Sequence, residues 1–201
     1  MGKLLFLNKI YLEVILCPKF IILQICILDI VSNIISYDNR LFFSVTEMDN
    51  TLINNWNSVV KKNDTVYILG DVSWYNKDEQ KKIINQLNGK KVLIYGNHDY
   101  NSYPNDGFAE HHNYLEINDN GRKVVLSHYP IVSYNGMYRG WYHLYGHVHN
   151  TTDDNMVNTY FKQWEDYYLK PCHAVNVGCM KPWMNYTPRT LDEIIAAKGW
   201  K

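Results

Sequence analysis

Four short apolar runs, each followed at once by polar side chains, constrain the fold of this chain more than any other feature. The runs are rich in β-branched residues, Leu and Tyr: Val66-Tyr-Ile-Leu69, Lys91-Val-Leu-Ile-Tyr95, Lys123-Val-Val-Leu126 and Trp141-Tyr-His-Leu-Tyr145. Such runs predict buried strands of an α/β protein. The polar groups that follow them are Gly70-Asp71, Gly96-Asn-His-Asp99, Ser127-His128 and Gly146-His-Val-His149. Because functional sites of open α/β sheets gather beyond the carboxyl ends of strands, we expect these groups to converge on one pocket.

Two amphipathic helices are predicted between and beside these strands. Ser44-Val-Thr-Glu47 is a capping-box pattern, and apolar residues then recur at helical spacing, which predicts a helix over 46–61 with Trp56 facing the core. A second helix is predicted over 77–87, and it ends at Asn88-Gly89, a typical C-terminal signal.

The N-terminal segment is strongly apolar, but charged residues and a proline interrupt it: Lys9, Glu13, Pro18, Lys19 and Asp29. The remaining pieces are shorter than the roughly 20 residues of a membrane span, and no small-x-small cleavage pattern follows them. A buried strand from about Phe20 to Leu28 is the preferred interpretation, with a membrane-associated hairpin or a poorly ordered appendage as alternatives. Residues 1–18 carry no readable chemistry, and 19–201 are predicted to form a single domain.

Charge and cysteine content bound the functions of the chain. The 20 Lys and Arg residues balance the 20 Asp and Glu residues, so no overall field recruits nucleic acid or an anionic membrane. A charged substrate must therefore be held by a local site. The cysteines show no C-x-x-C spacing, which favours free thiols in a reducing compartment, and we expect a cytoplasmic protein.

The residue types in the four polar groups favour a metal site. His147 and His149 are two residues apart, so in an extended segment both side chains point to the same side. Taken singly, Asp71 is a common turn residue and His128 a common core histidine. The occurrence of all four groups in this order, each at a strand end, is much better explained by a metal site than by coincidence. A carboxylate, an amide oxygen and imidazoles suit Mn²⁺, Fe²⁺, Zn²⁺ or Ni²⁺ better than Ca²⁺ or Mg²⁺ alone.

The order of these groups resembles the calcineurin-like metallophosphoesterase superfamily, whose blocks are D-x-H, G-D-x, G-N-H-D, H and G-H-x-H. The segments 33–40 and 176–193 are similar to short, single-domain bacterial and phage members. The resemblance implies an α/β fold of two facing mixed β-sheets flanked by helices, a four-layer αββα sandwich. It also implies a site for two divalent metal ions between the loops, with Mn²⁺ expected and Fe, Zn or Ni as alternatives.

The resemblance assigns the metal ligands residue by residue. Asp71 would bridge the two ions, one carboxylate oxygen reaching each. The second ion would be completed by Asn97, His128 and His147. His149 would belong to the first ion. Water held by the ions would be the nucleophile, because a divalent metal lowers the pKa of water from about 15.7 toward about 7.

The resemblance also implies catalytic roles and a substrate class. His98 would be the general acid or would stabilise charge, and Asp99 would orient its ring and favour the protonated form. The substrate would be a small phosphomonoester or phosphodiester, with nucleotides among the candidates. Neither a nucleic-acid partner nor a membrane span is expected, and the sequence does not define the oligomeric state.

The first block departs from the family pattern. Where the family has D-x-H, this chain has Leu28-Asp-Ile-Val-Ser32, and no histidine precedes His98. Asp29 either keeps the family aspartate or is an unrelated loop residue. One metal position therefore lacks at least one ligand. A metal-dependent phosphoesterase is the first hypothesis, and a member with a decayed first site, acting as a weak one-metal enzyme or a phosphate-binding or interaction protein, is the alternative. A membrane-attached scaffold is the third.

Aromatic residues are frequent beside the polar groups: Tyr100, Tyr103, Tyr129, Tyr134, Tyr138 and Trp141. Such rings can stack on a base or an aryl leaving group. The preferred interpretation is that they fill strands and strand edges, where tyrosine packs well.

Overall fold

The computed structural model describes residues 20–23, 40, 42–99 and 105–200. The N-terminal segment 1–18, Asp29 and the second half of the predicted strand 20–28 lie outside the described residues. The described strands are β1 Phe20–Leu23, β2 Thr65–Ile68, β3 Lys90–Ile94, β4 Glu110–His112, β5 Leu115–Asp119, β6 Arg122–Leu126, β7 Tyr142–Tyr145, β8 His173–Asn176 and β9 Arg189–Thr190. The described helices are α1 Val45–Val59, α2 Lys77–Ile84, α3 Thr152–Tyr168 and α4 Leu191–Lys198, with a short 3₁₀ helix at Met137–Arg139.

The strands form two mixed sheets. The first has the order β4-β3-β2-β1-β9, in which β9 runs antiparallel to β1 and the other neighbours are parallel. The second has the order β5-β6-β7-β8, in which β5 and β6 are antiparallel and the other neighbours are parallel. In the first sheet the parallel neighbours β2 and β3 thus end side by side. In the second sheet β6 and β7 do the same.

Alternating side chains of the second sheet divide the core. Val124 and Leu126 of β6 belong to the main core, which also contains Val66 and Ile68 of β2, so the two sheets face each other. Val125 points the other way, into a second core that holds Phe161 and Trp164 of α3, as the period of two along a strand requires. Helices α1 and α4 contribute to the main core. The predicted α/β fold of two facing sheets flanked by helices is confirmed.

The predicted elements are close to the observed ones. Each of the four predicted apolar strands begins and ends within one residue of β2, β3, β6 or β7. The side chain of Ser44 accepts a hydrogen bond from the Glu47 N–H, as a helix N-cap does, and Trp56 is buried. Helix α2 ends at Ile84 rather than at 87, because the next amides bond to carbonyls three residues back, which tightens the chain into a turn.

No helix within the described part of the chain combines the length and the apolar character needed to cross a membrane. Helices α3 and α4 and strands β4, β5, β8 and β9 were not predicted. Helix α3 carries a usable signal, since acidic residues occupy its first turn and its buried residues recur at helical spacing.

Candidate metal centre

Four strand ends deliver the predicted polar groups to one place. In the first sheet, Asp71 follows β2 and Asn97 follows β3; in the second, His128 follows β6 and His147 follows β7. Because β2 and β3 are parallel neighbours, as are β6 and β7, their carboxyl ends lie at a common edge of each sheet. The facing of the two sheets then brings the four side chains together.

The donor atoms of these side chains converge closely. In Asp71, His128 and His147, one ligand atom from each lies within 4.8 Å of the others. His128 Nε2 is 3.4 Å from Asp71 Oδ2, 3.1 Å from Asn97 Oδ1 and 3.1 Å from His147 Nδ1. Ligand atoms around an ion with bonds of about 2.1 Å are separated by about 3.0–3.4 Å, in octahedral or tetrahedral geometry. The spacing matches the edges of a metal coordination shell.

The tautomer of His128 supports the same conclusion. Its Nδ1 lies 2.8 Å from the Leu69 carbonyl oxygen, and because a carbonyl only accepts, Nδ1 carries the proton. In the neutral ring, Nε2 then presents a lone pair toward the oxygens of Asp71 and Asn97. Lone pairs that face one another repel, and a cation between them removes that repulsion. The residues present therefore fit a divalent cation, held in the orientation that metal-binding histidines usually have.

The charges of Asp71 and His128 support each other. Burial raises the pKa of Asp71, but the hydrogen bond and charge of His128 outweigh it, so the pKa lies below its usual value. Burial lowers the pKa of His128, but the same contacts outweigh it and the pKa is raised. Burial and the charge of His128 lower the pKa of His147 and favour its neutral form. A bound cation competes with the His128 proton, as metals do at imidazole ligands.

Asp99 accepts hydrogen bonds from three backbone amides. Its Oδ2 accepts hydrogen bonds from the Asp71 N–H at 2.8 Å and the Gly96 N–H at 2.7 Å, and its Oδ1 accepts from the Val72 N–H at 2.8 Å. Burial raises the pKa of Asp99, and these donors oppose the shift. Asp99 thus ties the loop after β2 to the loop after β3. Orientation of the His98 ring by Asp99 stays a prediction.

Two glycines allow these loops to approach. A Cβ atom on Gly70 would lie 2.4 Å from the Gly96 nitrogen, and one on Gly96 would lie 2.3 Å from Asp71 Oδ1. Both distances are far below van der Waals contact. The close approach of the two loops explains why glycine opens the polar group after each strand.

Three of the predicted ligands have left-handed backbone conformations. Asp71, His147 and His149 have φ angles of 53°, 61° and 47°, which are uncommon for residues other than glycine. Strain of this kind persists where the surrounding structure enforces it, and it clusters at functional sites.

His98 and His149 lie at the edge of the convergent group. The His98 N–H donates to Asp71 Oδ1 at 3.0 Å, while its exposed ring lies against Trp74 with 4.3 Å between centroids. His149 is not among the three described residues whose ligand atoms cluster. Its carbonyl oxygen accepts from Asn176 Nδ2 at 3.0 Å, which holds the loop after β7 in place.

A buried polar network supports that loop, and sequence reasoning missed it. Asp154 accepts from Asn176 Nδ2 at 2.9 Å and from Lys181 Nζ at 2.6 Å, and all three residues are buried. A buried lysine needs a paired charge. Asp154 is recognisable in the sequence as an acidic residue in the first turn of a helix. Its ion-pair partner Lys181 lies 27 residues further along the chain, so the sequence does not indicate the pairing.

The aromatic residues divide between core and site. Tyr134 packs against His143, and Tyr138 packs against Trp164, but neither lies in a described strand, and Tyr138 belongs to the 3₁₀ helix. Tyr129 differs, since its ring lies 4.4 Å from the ring of His147. Tyr100 and Tyr103 lie outside the described residues.

Comparison with known proteins decides the family. The sequence model of the calcineurin-like phosphoesterases matches residues 42–193. The chain belongs to this family. Membership confirms the resemblance drawn from the strand-end groups, and it supports a metal-dependent phosphoesterase at the level of the superfamily.

Individual relatives agree with this family. An uncharacterized protein of Methanocaldococcus jannaschii is 38% identical over 168 residues, 82% of this chain and 82% of its own length. The Gene 66 protein of Mycobacterium phage L5 is 47% identical over 58 residues, 27% of this chain and 28% of the phage protein. The crystal structure of a protein of unknown function from Aquifex aeolicus superposes with a TM-score of 0.68 at 24% identity. It covers 90% of this chain and 100% of that protein and shows the same fold.

Proposed function

We propose that this chain hydrolyses a phosphomonoester or phosphodiester, with a divalent cation held by Asp71, Asn97, His128 and His147. One observation carries the proposal: donor atoms from four strand ends of two sheets converge around His128 Nε2 at 3.1–3.4 Å. Mn²⁺ is the cation we expect, with Fe, Zn and Ni as alternatives, because the donor set mixes oxygen and imidazole nitrogen.

The residues of the site would have different roles in hydrolysis. A divalent cation supplies positive charge that favours ionisation of water and offsets charge on the phosphoryl oxygens. The two sheets hold its ligands rigidly, since Asp71 and His128 are buried and each loop follows a strand directly. His98, carried on the loop of Asn97, would donate a proton to the leaving oxygen. Asp99 would keep Asp71 in position through the amides that it binds.

A second candidate function rests on the histidine that is missing from the D-x-H block of the family. His149 lies outside the convergent group of described residues, and the chain has no histidine before His98. A second cation would then be bound weakly. The chain would act as a weak one-metal enzyme, or it would bind phosphate compounds without turning them over. In either case we predict that the ligand is a small phosphoester and that a single domain over 19–201 binds it. We also predict that the protein is cytoplasmic.

Hydrolysis by the full chain tests the proposal. We expect Mn²⁺-dependent release of nitrophenol from p-nitrophenyl phosphate or bis-p-nitrophenyl phosphate. Asp71→Asn and His128→Ala should each lower the rate by about 100-fold or more, since metal ligands contribute at least as much as the residues that support them. Asp166→Asn is the matched control, because Asp166 is an exposed residue of α3 and lies away from the four strand ends.

The outcomes separate the two candidates. Mn²⁺ binding without turnover of either ester would favour the phosphate-binding alternative. Turnover that survives in both folded variants would contradict the assigned ligands. Folding of each variant is checked by circular dichroism.

A further inference from the structure

Trp74 is an exposed aromatic residue beside the candidate metal centre. It lies in the loop between β2 and α2, three residues after Asp71, and 46% of its surface is exposed. Its ring contacts the His98 ring at 4.3 Å between centroids, with 39° between the planes. The large ring therefore contributes little to the core. It presents a flat apolar surface to solvent next to residues expected to handle a phosphate.

The loop holds Trp74 in place through both of its neighbours. Ser73 is buried, and its hydroxyl donates to Gln80 Oε1 at 2.8 Å. The Tyr75 hydroxyl donates to Asp49 Oδ2 at 2.8 Å. The backbone on either side of Trp74 is thereby anchored to α2 and α1. A ring on an anchored loop loses little conformational freedom when a ligand binds, which favours affinity.

A second exposed ring comes from the other sheet. Tyr129 follows His128 directly and is 49% exposed. Its ring centroid lies 4.9 Å from that of His128 and 4.4 Å from that of His147. The Ser127 hydroxyl donates to the Tyr129 carbonyl oxygen at 2.6 Å, which fixes the start of this loop. Each sheet thus contributes one exposed aromatic ring near the site: Trp74 contacts His98, and Tyr129 contacts His128 and His147.

We propose that Trp74, assisted by Tyr129, determines specificity by stacking on a planar aromatic group of the phosphoester substrate. The inference rests on the proposed function, since the phosphate of the same molecule would lie at Asp71, Asn97, His128 and His147. Contacts within the protein cover only about half of each residue, which leaves part of both rings open to solvent. Stacking on an aromatic side chain tolerates many planar groups. A nucleobase and a simple aryl group share this chemistry.

Phosphonates provide matched probes, because their C–P bond resists hydrolysis. We would measure dissociation constants of the Mn²⁺-loaded full chain by calorimetry for phenylphosphonate, methylphosphonate and cyclohexylphosphonate. The phenyl compound should bind about 5-fold to 100-fold more tightly than the methyl compound, the range that one aromatic stack provides. The cyclohexyl compound has similar size but no flat face and should gain less.

Variants assign the effect to Trp74. Trp74→Ala should bring the phenyl-to-methyl ratio of affinities close to one, and Trp74→Phe should keep most of it. Tyr167→Ala is the matched control, since Tyr167 is 79% exposed on α3 and should keep the full ratio. A ratio is insensitive to partial loss of folded protein, so it reports on stacking itself.

The results distinguish this inference from the proposed function. A wild-type ratio near one, with Mn²⁺-dependent hydrolysis intact, would overturn the stacking role alone. A ratio that survives Trp74→Ala would overturn it as well. Failure of every phosphonate to bind, together with absence of hydrolysis, would overturn the proposed function. A larger gain for 9-(2-phosphonoethyl)adenine over ethylphosphonate than for phenyl over methyl would identify the planar group as a nucleobase, and equal gains would identify any aryl group.

Discussion

The Nδ1 atom of His128 donates a hydrogen bond to the Leu69 carbonyl oxygen over 2.8 Å. Leu69 follows β2 of the first sheet and His128 follows β6 of the second, so this bond joins the two sheets at the candidate metal centre. It also fixes the proton on Nδ1 and leaves Nε2 to face the other donor atoms. The assembly of the two sheets and the chemistry of the site are therefore linked through one imidazole ring.

Replacement of Gly96 by alanine should disrupt metal binding. The added methyl group would lie 2.3 Å from Asp71 Oδ1 and 2.7 Å from the Asp71 nitrogen, so the two loops must separate. We expect the Mn²⁺ affinity of Gly96→Ala to fall by at least about tenfold, as it does when a ligand is misplaced. Gly121→Ala is the control: it is strained at a φ of +89° but faces open space. Wild-type affinity in Gly96→Ala would contradict the described approach of the loops.

The leaving group should reveal the role of His98. If His98 donates the proton, His98→Asn should slow alkyl phosphoesters by about 10² to 10⁴ and slow nitrophenyl esters much less, because only the poor leaving group needs protonation. Steady-state kinetics on the two ester types measures the difference. Asp166→Asn, a change of an exposed residue on α3, should leave both rates unchanged. Equal losses on both esters would point to a structural role for His98.

His143 should make the stability of the fold depend on pH. Burial lowers its pKa from 6.5 to about 4, and its Nε2 accepts a hydrogen bond from the Ile131 N–H at 2.9 Å. The unfolded chain binds this proton more readily than the folded chain, so the stabilising contribution is complete above about pH 6.5 and falls as the pH decreases toward 4. The decrease should be about 3 kcal/mol, from about 1.4 kcal/mol per pKa unit.

A variant and a spectrum test that dependence. His143→Gln keeps an acceptor but cannot titrate, so its free energy of unfolding, from urea titrations, should depend less on pH between 6.5 and 4. Imidazole resonances of the wild-type protein should show His143 neutral until about pH 4. An ordinary titration near 6.5 would refute the assignment.

The buried pair of Lys181 and Asp154 should stabilise the fold strongly. Lys181→Met leaves the Asp154 carboxylate buried without its positively charged partner and should cost about 3–5 kcal/mol of unfolding free energy. The double variant Asp154→Leu with Lys181→Met should recover part of that loss. Lys162→Met removes an exposed ion pair with Asp166 and should have no measurable effect. Equal stability of Lys181→Met and wild type, in chemical denaturation, would contradict this role.

The parts of the fold that local patterns encode were predictable. The runs that became β2, β3, β6 and β7 are short, apolar and bounded by polar groups, and the order of those groups identified the family. Short strands such as β4 and β9, of three and two residues, carry too few residues to show a period. Their positions follow from pairing with distant strands, which a single sequence does not display.

The candidate site was predicted as a set of residues but not as a set of contacts. Asp99 adjoins His98 in the sequence, which favoured a pairing between their side chains. The partners that the structure describes are the amides of 71, 72 and 96. Trp74 was overlooked because its importance depends on two anchored neighbours and on the position of His98. Such relationships appear only once the loops are folded together.

Titration of the full chain with Mn²⁺ tests the central claim most directly. We expect calorimetry to show one tightly bound ion and a second, weaker one, because Asp71, Asn97, His128 and His147 complete one position whereas the first motif lacks its histidine. Asp71→Ala and His128→Ala should lose the tight ion while circular dichroism shows that they remain folded. Retention of a full equivalent of Mn²⁺ by either variant after dialysis, measured by elemental analysis, would contradict the claim that these strand-end residues form the metal site.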